Sequence, residues 1–394
     1  METITKAPTK GLESEQTIDL KKKSYDIRAY TMLIGLVVIM IMFAFFTDGV
    51  FLSARNLSNL AMQMSVVSLL GTGAVLVIVT GNIDLSVGSL VGLSGGLAAV
   101  FMAWEGWGTL PTIAVVLVFG VIIGIIHGFA TVYLNIPAFI VTLGGMMIYR
   151  GILLGITKGV TIAPMNNSYQ ILGQAYINNN VGLFVALIAI VTIVVLSVRK
   201  RQSRVKYNLR LEPMPLFTWK LILIAGLISV FVILMNTYRG IPIPVFFMLV
   251  FAILYTFIAE KTKFGRSIYA IGGNIQAARY SGIKVKKVVL IVFALNGLIA
   301  AFAGIILSAR LNAGVPGAGN MMELDAIAAA VIGGTSLAGG RGRVNGAILG
   351  ALIMATLDNG MSLLNIDAFW QYIVKGSILV LAVWFDNASK NKKA

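Results

Sequence analysis

Four ionisable side chains, Asp84, Arg150, Asp358 and Lys375, fall inside or beside long apolar runs of this sequence. An ionisable group at membrane depth is costly, so each position is a candidate functional residue. Asp358 and Lys375 lie at similar depths, about 9 Å inside neighbouring predicted spans at helical rise. They fit a structural ion pair, with a proton relay as the alternative. Arg150 lies in the outer half of its run, where its guanidinium can extend to the headgroups or form a buried pair.

Asp84 belongs to a polar turn, residues 81–89, which separates two apolar runs. Asn82, Ser86 and Ser89 flank it, and together these side chains can hydrogen-bond a polar substrate and line its pathway. An equally good interpretation is that Asp84 caps the helix that follows, because an aspartate before a helix satisfies free backbone N–H groups.

Three more polar residues join the candidate substrate pathway. Asn296 lies in the middle of an apolar run, and Thr335 lies in a short segment rich in small residues. Either side chain can line a pathway or form a hydrogen bond between helices. Asp325 precedes a Gly-Gly pair at 339–340, much as Asp84 precedes the pair at 95–96. The two aspartates are expected at opposite ends of their spans. Because an inverted repeat would place equivalent residues in this way, the pattern suggests a possible inverted repeat.

Several kinds of chemistry are excluded by residue content. The chain has no cysteine, so thiolate metal sites and cysteine nucleophiles are absent, and its one histidine, His127, fits a hydrogen-bonded core position better than a ligand. It has no Gly-Lys dipeptide and therefore no phosphate-binding loop of its own. The net charge is +16, but the basic residues do not form a face interleaved with aromatic residues, so nucleic acid is not an expected partner. No cofactor or metal is expected.

The elements that position these residues are apolar segments of membrane-spanning length. The sequence is 58% hydrophobic and only 12% charged, whereas soluble domains carry about 25% charged residues. Runs of about 20 residues match the hydrocarbon core of a bilayer. Twelve such segments are predicted, at 30–46, 60–80, 87–104, 110–134, 136–157, 181–198, 221–238, 244–259, 288–309, 326–340, 346–364 and 369–385. The fold class is therefore an all-α polytopic membrane protein with about twelve spans (ten to twelve).

The distribution of basic residues predicts the orientation. Loops on the side of the N-terminus hold 25 Lys and Arg residues, and loops on the other side hold four. Basic residues collect on the cytoplasmic side, so both termini are expected to be cytoplasmic. The predicted domains are a cytoplasmic tail (1–29), a transmembrane domain (30–386) with a cytoplasmic loop at 260–287, and a short cytoplasmic tail (387–394). The segment 326–340 is short and rich in small residues, which suggests a half-helix buried in protein.

The loop at 260–287 contains a second kind of signal. Asn274 is a favourable N-cap and Gly282 a favourable left-handed stop, so a helix of about two turns is predicted over 275–281. A helix this short is marginal by itself, so either its own loops or the groove of a partner must hold it.

Three stretches resemble the ribose/xylose/galactose class of bacterial ABC importer permeases. They are residues 81–89, residues 136–151 and a C-terminal block containing 272–283 and 324–343. The additional basic loop and crossings at 181–238 favour the xylose branch. The resemblance implies a membrane permease that translocates a monosaccharide, D-xylose for this branch, across the bacterial inner membrane, and it implies no enzymatic activity of its own.

The same resemblance implies the partners: a second copy of the chain, a cytoplasmic ATPase subunit, a periplasmic or extracellular sugar-binding protein and the surrounding lipid. It makes the 274–283 segment the helix that docks in the ATPase, through Asn274, Ala277, Ala278, Arg279 and Gly282. Gln276 stands where related motifs carry glutamate. The alternative class is an ion-coupled secondary sugar transporter, in which Asp84, Asp358 and Lys375 are the coupling groups.

Overall fold

The computed structural model describes residues 27–209 and 211–391, and the predicted tails lie largely outside these ranges. The described chain is almost entirely helical. Its helices are α1 (Ile27–Phe46), α2 (Ala54–Val79), α3 (Val87–Ala99), α4 (Thr109–Val132), α5 (Ala138–Thr157), α6 (Asn167–Gln174), α7 (Asn179–Lys206), α8 (Met214–Asn236), α9 (Ile243–Lys261), α10 (Lys263–Gly273), α11 (Ile275–Tyr280), α12 (Val285–Leu311), α13 (Met322–Ile332), α14 (Val344–Leu363) and α15 (Ala368–Asn391). A π-helical turn (Val100–Trp104) extends α3, and a 3₁₀ turn (Val50–Leu52) precedes α2.

The predicted fold class is confirmed. Nine helices within the described ranges are long and apolar enough to cross a bilayer, and two shorter apolar helices, Met32–Phe46 and Ala368–Trp384, lie at the two ends. With α13, these segments account for the twelve predicted from hydropathy. The short segment was expected at 326–340, but its helix begins and ends earlier, at Met322–Ile332. The residues after this helix form a turn rich in glycine.

The helices are arranged from a buried centre to an exposed periphery. The apolar window of α2 is 89% buried and that of α12 is 72% buried, whereas the windows of α7 and α8 are each 6% buried. The main core joins residues of α2, α3, α12 and α13. The α7–α8 pair therefore forms a hairpin at the edge of the bundle. A two-stranded antiparallel pairing, β1 (Tyr176–Ile177) with β2 (Ile241–Pro242), closes the end of that hairpin.

Glycine permits the closest packing in the centre of the bundle. Gly120 and Gly124 of α4 lie against the backbone of α12 at Gly297 and Phe293. A side chain at any of these glycines would overlap the facing backbone, so the two helices pack at a distance that only small residues allow.

Candidate transport site

A break between α2 and α3 positions the central polar residues. Helix α2 ends at Val79, and residues 82–86 run without helical structure before α3 begins at Val87. The backbone N–H of Leu85 donates to Thr142 Oγ1 on α5 at 3.1 Å. Asp84 was expected at the end of its span, but it contacts Asn296 midway along α12. The reason is that this non-helical stretch returns into the bundle before the next helix starts.

Asp84 is the centre of a buried hydrogen-bond network and is 9% exposed. Its Oδ1 accepts from the backbone N–H of Ser86 at 2.9 Å and from Ser86 Oγ at 2.6 Å. Its Oδ2 accepts from Asn296 Nδ2 at 2.8 Å. The carboxylate thus holds the start of α3 and ties it to α12.

The network continues to α4 and α5. Ser86 Oγ lies 3.4 Å from His127 Nδ1, and the hydroxyl of Tyr149 lies 2.7 Å from His127 Nε2. His127 is 3% exposed, as expected for a hydrogen-bonded core residue. With the imidazole proton on Nδ1, all three contacts are hydrogen bonds. Tyr149 donates to His127 Nε2, His127 Nδ1–H donates to Ser86 Oγ, and Ser86 Oγ donates to Asp84. Four helices, α3, α4, α5 and α12, are joined by this one chain of polar groups.

The remaining predicted pathway residues lie in different surroundings. Asn82 is half-buried and donates to Thr80 Oγ1 at 2.9 Å, and Ser89 is buried in the first turn of α3. Thr335 is fully buried in the turn that follows α13, and its hydroxyl has no hydrogen-bond partner among the described residues. The structure therefore brings Asp84, Ser86 and Asn296 together but leaves Thr335 outside that cluster.

Asp325 belongs to an ion cluster with two other helices. Lys375 Nζ on α15 lies 3.0 Å from Asp325 Oδ2 on α13 and 2.8 Å from Asp358 Oδ2 on α14. The ion pair predicted between Asp358 and Lys375 is confirmed, and Asp325 is a third member that the sequence did not suggest. One lysine thus bridges two carboxylates and three helices.

Glu323 is a buried residue that the sequence reasoning missed. It lies in the first turn of α13 and is 7% exposed, and its carboxylate faces Gly88 at the start of α3. The beginnings of α3 and α13 therefore meet inside the bundle. Arg150 supports the adjoining segment by donating to the carbonyl oxygens of Pro316 and Ala318 at 3.1 and 3.0 Å. The only signal in the sequence was an acidic residue two positions before Asp325.

The predicted two-turn helix is present as α11. The Asn274 side chain accepts from the backbone N–H groups of Gln276 and Ala277 at 3.0 and 2.9 Å, and Gly282 adopts a φ of +79°. Ala277 and Arg279 are exposed, whereas Ala278 is buried in the main core. The two alanines do not share an outer face, because consecutive residues of a helix point about 100° apart.

Helix α10, which directly precedes α11, is joined to the end of α2 by close backbone contacts. Gly272, at the end of α10, lies against the carbonyl oxygen of Val79 and the backbone N–H of Gly340, and a side chain there would overlap both. The N–H of Gly340 donates to Val79 O at 2.9 Å. These contacts connect the end of α10, immediately before α11, to the end of α2, from which the residues before Asp84 start.

These features define an all-α protein that crosses the membrane many times and contains a buried polar network beside a broken span. The chain belongs to the family described as branched-chain amino acid transport system / permease component, whose profile matches residues 56–383.

Comparison with individual proteins places sugar permeases among its relatives. The chain is 50% identical over 372 residues to the xylose transport system permease protein of Haemophilus influenzae, covering 94% of this chain and 99% of the relative. It is 47% identical over 370 residues to the corresponding protein of Escherichia coli K12, covering 94% of each. The ribose import permease protein of Escherichia coli K12 is 36% identical over 337 residues, covering 86% of this chain and 87% of the relative. No solved structure matches the chain. The resemblance drawn from the motifs is confirmed.

Proposed function

We propose that this permease is the membrane subunit of an ATP-driven importer and that its substrate is a pentose, D-xylose. The observation that carries the proposal of an external ATPase is α11, a capped and largely exposed helix of six residues that directly follows the contact of α10 with the broken span. The choice of xylose is supported by relatives with that name at 47–50% identity over 94% of the chain. ATP is hydrolysed by the partner, and this chain is not itself an enzyme.

Charge and shape around α11 support its role as a docking element. A groove of about 610 Å³ beside it is lined by Arg279, Lys284, Lys286 and Lys287 together with Tyr133. Four cations on this surface favour a partner groove with carboxylates. When that partner closes on ATP, α11 moves with it, and the contact of Gly272 with Val79 carries the displacement to residues 80–86.

The substrate pathway is proposed to pass the broken spans. Asn82, Asp84, Ser86, Ser89 and Asn296 form the polar lining nearest the start of α3, and Asp325 and Thr335 lie on the α13 side. In the state described here Asp84 is engaged by Ser86 and Asn296, so sugar hydroxyls must replace these partners when the pathway opens. Hydroxyl groups of a sugar can make the same hydrogen bonds, and the exchange costs little net free energy.

The assembly is proposed from the resemblance to sugar-importer permeases. It contains two copies of this chain around one pathway, two ATPase subunits and a soluble sugar-binding protein on the opposite side of the bacterial inner membrane. The binding protein sets most of the specificity, so the pathway itself holds the sugar only weakly.

The variant Asp84→Asn tests whether Asp84 serves transport or only caps the start of α3. In Asp84→Asn the new amide can still accept from Ser86, and Asn296 can rotate so that its otherwise unpaired Oδ1 accepts a hydrogen bond. We expect the variant to fold with a loss of only about 1 kcal/mol in stability. We also expect its uptake to fall at least about tenfold, because the carboxylate is then missing from the pathway.

The reciprocal double variant, Asp84→Asn with Asn296→Asp, is the control. It restores an amide–carboxylate pair but moves the charge to α12, so stability should recover more than uptake does. Wild-type uptake by the single variant would remove Asp84 from the pathway and leave it as a structural residue.

The orientation is tested with single cysteines, since the chain has none of its own. Asn180 and Ser203 are both exposed, at opposite ends of α7. An impermeant thiol reagent applied to intact cells should label Asn180→Cys at once and Ser203→Cys only after the membrane is opened. The reverse pattern would contradict cytoplasmic placement of the termini and of α11.

The substrate is tested by uptake of radiolabelled sugars in cells that lack the chain. Xylose uptake should be lost in these cells and recovered on expression of the wild-type chain, while ribose uptake changes little. If these cells lose ribose uptake and keep xylose uptake, the chain transports ribose, despite its lower identity to the ribose permeases.

A further inference from the structure

The α7–α8 hairpin has a basic cavity that the transport mechanism does not use. It lies where the two helices meet their connecting loop, at the end of the bundle that also holds α10 and α11. Its volume is about 370 Å³. Four cations, Lys200, Arg201, Arg204 and Lys220, line it with a single carboxylate, Glu212.

The carboxylate is already engaged within the cavity. Lys220 Nζ lies 2.6 Å from Glu212 Oε2. Arg201 donates to the backbone carbonyl of Glu212 at 2.8 Å, and its guanidinium lies 5.0 Å from the centre of the Phe217 ring. Lys200 and Arg204 are exposed and form no ion pair with any described residue. The cavity therefore carries more positive than negative charge.

An apolar seam leads from the cavity along the hairpin. Leu221 and Ile224 line the basic cavity and also belong to a closed apolar contact between α7 and α8, with Ile190, Ile193, Val194, Ala225 and Ile228. Ile224 is 39% exposed, so this seam also has an apolar outer surface. Trp219, 63% exposed, lies at the same level as the cavity, a position typical of the membrane interface. The site is thus cationic at one end and apolar at the other, along the direction in which a membrane lipid lies.

We propose that this cavity binds the headgroup phosphate of an anionic phospholipid, with one acyl chain lying along the α7–α8 seam. Lys200 and Arg204 contact the phosphate, since Lys220 and Arg201 are engaged with Glu212 and the Phe217 ring. Basic pockets between helix ends at the membrane surface favour such headgroups, and each cation adds to the attraction. The continuity with an apolar seam favours a lipid over a free inorganic anion. Such a lipid covers the outer surface of two helices that bury little surface elsewhere.

The experiment measures lipid retention by the purified full-length chain in detergent, with native mass spectrometry as the readout. The probes are phosphatidylglycerol and phosphatidylcholine of the same acyl composition, and inorganic phosphate as a competitor. The test variant is Lys200→Ala/Arg204→Ala. The matched control, Lys261→Ala/Arg266→Ala, removes two exposed cations outside the hairpin.

We expect wild type and control to retain phosphatidylglycerol in preference to phosphatidylcholine, and the test variant to bind phosphatidylglycerol about tenfold more weakly. Equal retention of phosphatidylglycerol by the test variant and the control would overturn the proposal. Displacement of the lipid by millimolar inorganic phosphate would overturn it too, because the cavity would then be a simple anion site. A thermal melt of each variant checks that the protein is folded. Ile224→Trp, which changes the outer surface of the seam without changing charge, should weaken lipid retention independently.

Discussion

The Ala277→Trp chain should insert in the membrane and still meet the sugar-binding protein, yet fail to retain its ATPase subunit and fail to transport. Ala277 is on the exposed side of α11, where the indole has room in the free chain but none in a fitted partner groove. An interface position of this kind contributes roughly 2 kcal/mol, which is about 30-fold in affinity. Co-purification of the ATPase with the tagged permease measures this effect directly.

The matched control is Gln202→Trp, which places the same side chain at an exposed position of α7 at the same end of the bundle. It should retain the ATPase and transport at the wild-type rate. If Ala277→Trp keeps both the ATPase and sugar-stimulated ATP hydrolysis, α11 is not the coupling helix, and the site of energy input lies elsewhere.

Lys375→Met should destabilise the protein strongly. Lys375 is 16% exposed and forms ion pairs with both Asp325 and Asp358, whose side chains are 5% and 28% exposed. Removing the only cation of this cluster leaves two carboxylates close together in the bundle. Breaking a buried ion pair in this way costs about 3–5 kcal/mol. The fraction of monodisperse protein remaining after heating in detergent measures the loss.

The triple variant Lys375→Met/Asp325→Asn/Asp358→Asn tests the electrostatic cause. It removes every charge of the cluster while nearly preserving shape, so most of the stability should return. Recovery of stability without recovery of transport would show that the cluster also serves the transport cycle. A single Lys375→Met variant as stable as wild type would contradict the account of α13, α14 and α15 as held together by this lysine.

The sequence predicted elements whose signals are local. Asn274 and Gly282 bounded α11 because capping depends on residues a few positions apart, and hydropathy located the spans because each must match the bilayer. The depth of Asp84 was not predictable in this way. Hydropathy gives the length of a run, whereas the return of residues 82–86 into the bundle depends on contacts with Thr142 and Asn296, far away in the chain.

The ion cluster shows the same limit. Similar depths in neighbouring spans suggested the pair of Asp358 and Lys375, and the structure confirmed it. Asp325 entered the cluster because α13 is a short helix that starts inside the bundle, which places its first turn level with Lys375. Glu323 was missed for the same reason, since its neighbour Gly88 belongs to a different broken span.

The central claim is that uptake is driven by ATP through a separate subunit, and a measurement of the energy source of uptake tests it most directly. The purified chain is placed in liposomes with and without its ATPase subunit, with the sugar-binding protein outside, and uptake of labelled xylose is followed. The account predicts uptake only with the ATPase and ATP present, unchanged when proton and sodium gradients are collapsed. Uptake by the chain alone, driven by an ion gradient and lost on its collapse, would contradict the account and identify an ion-coupled transporter.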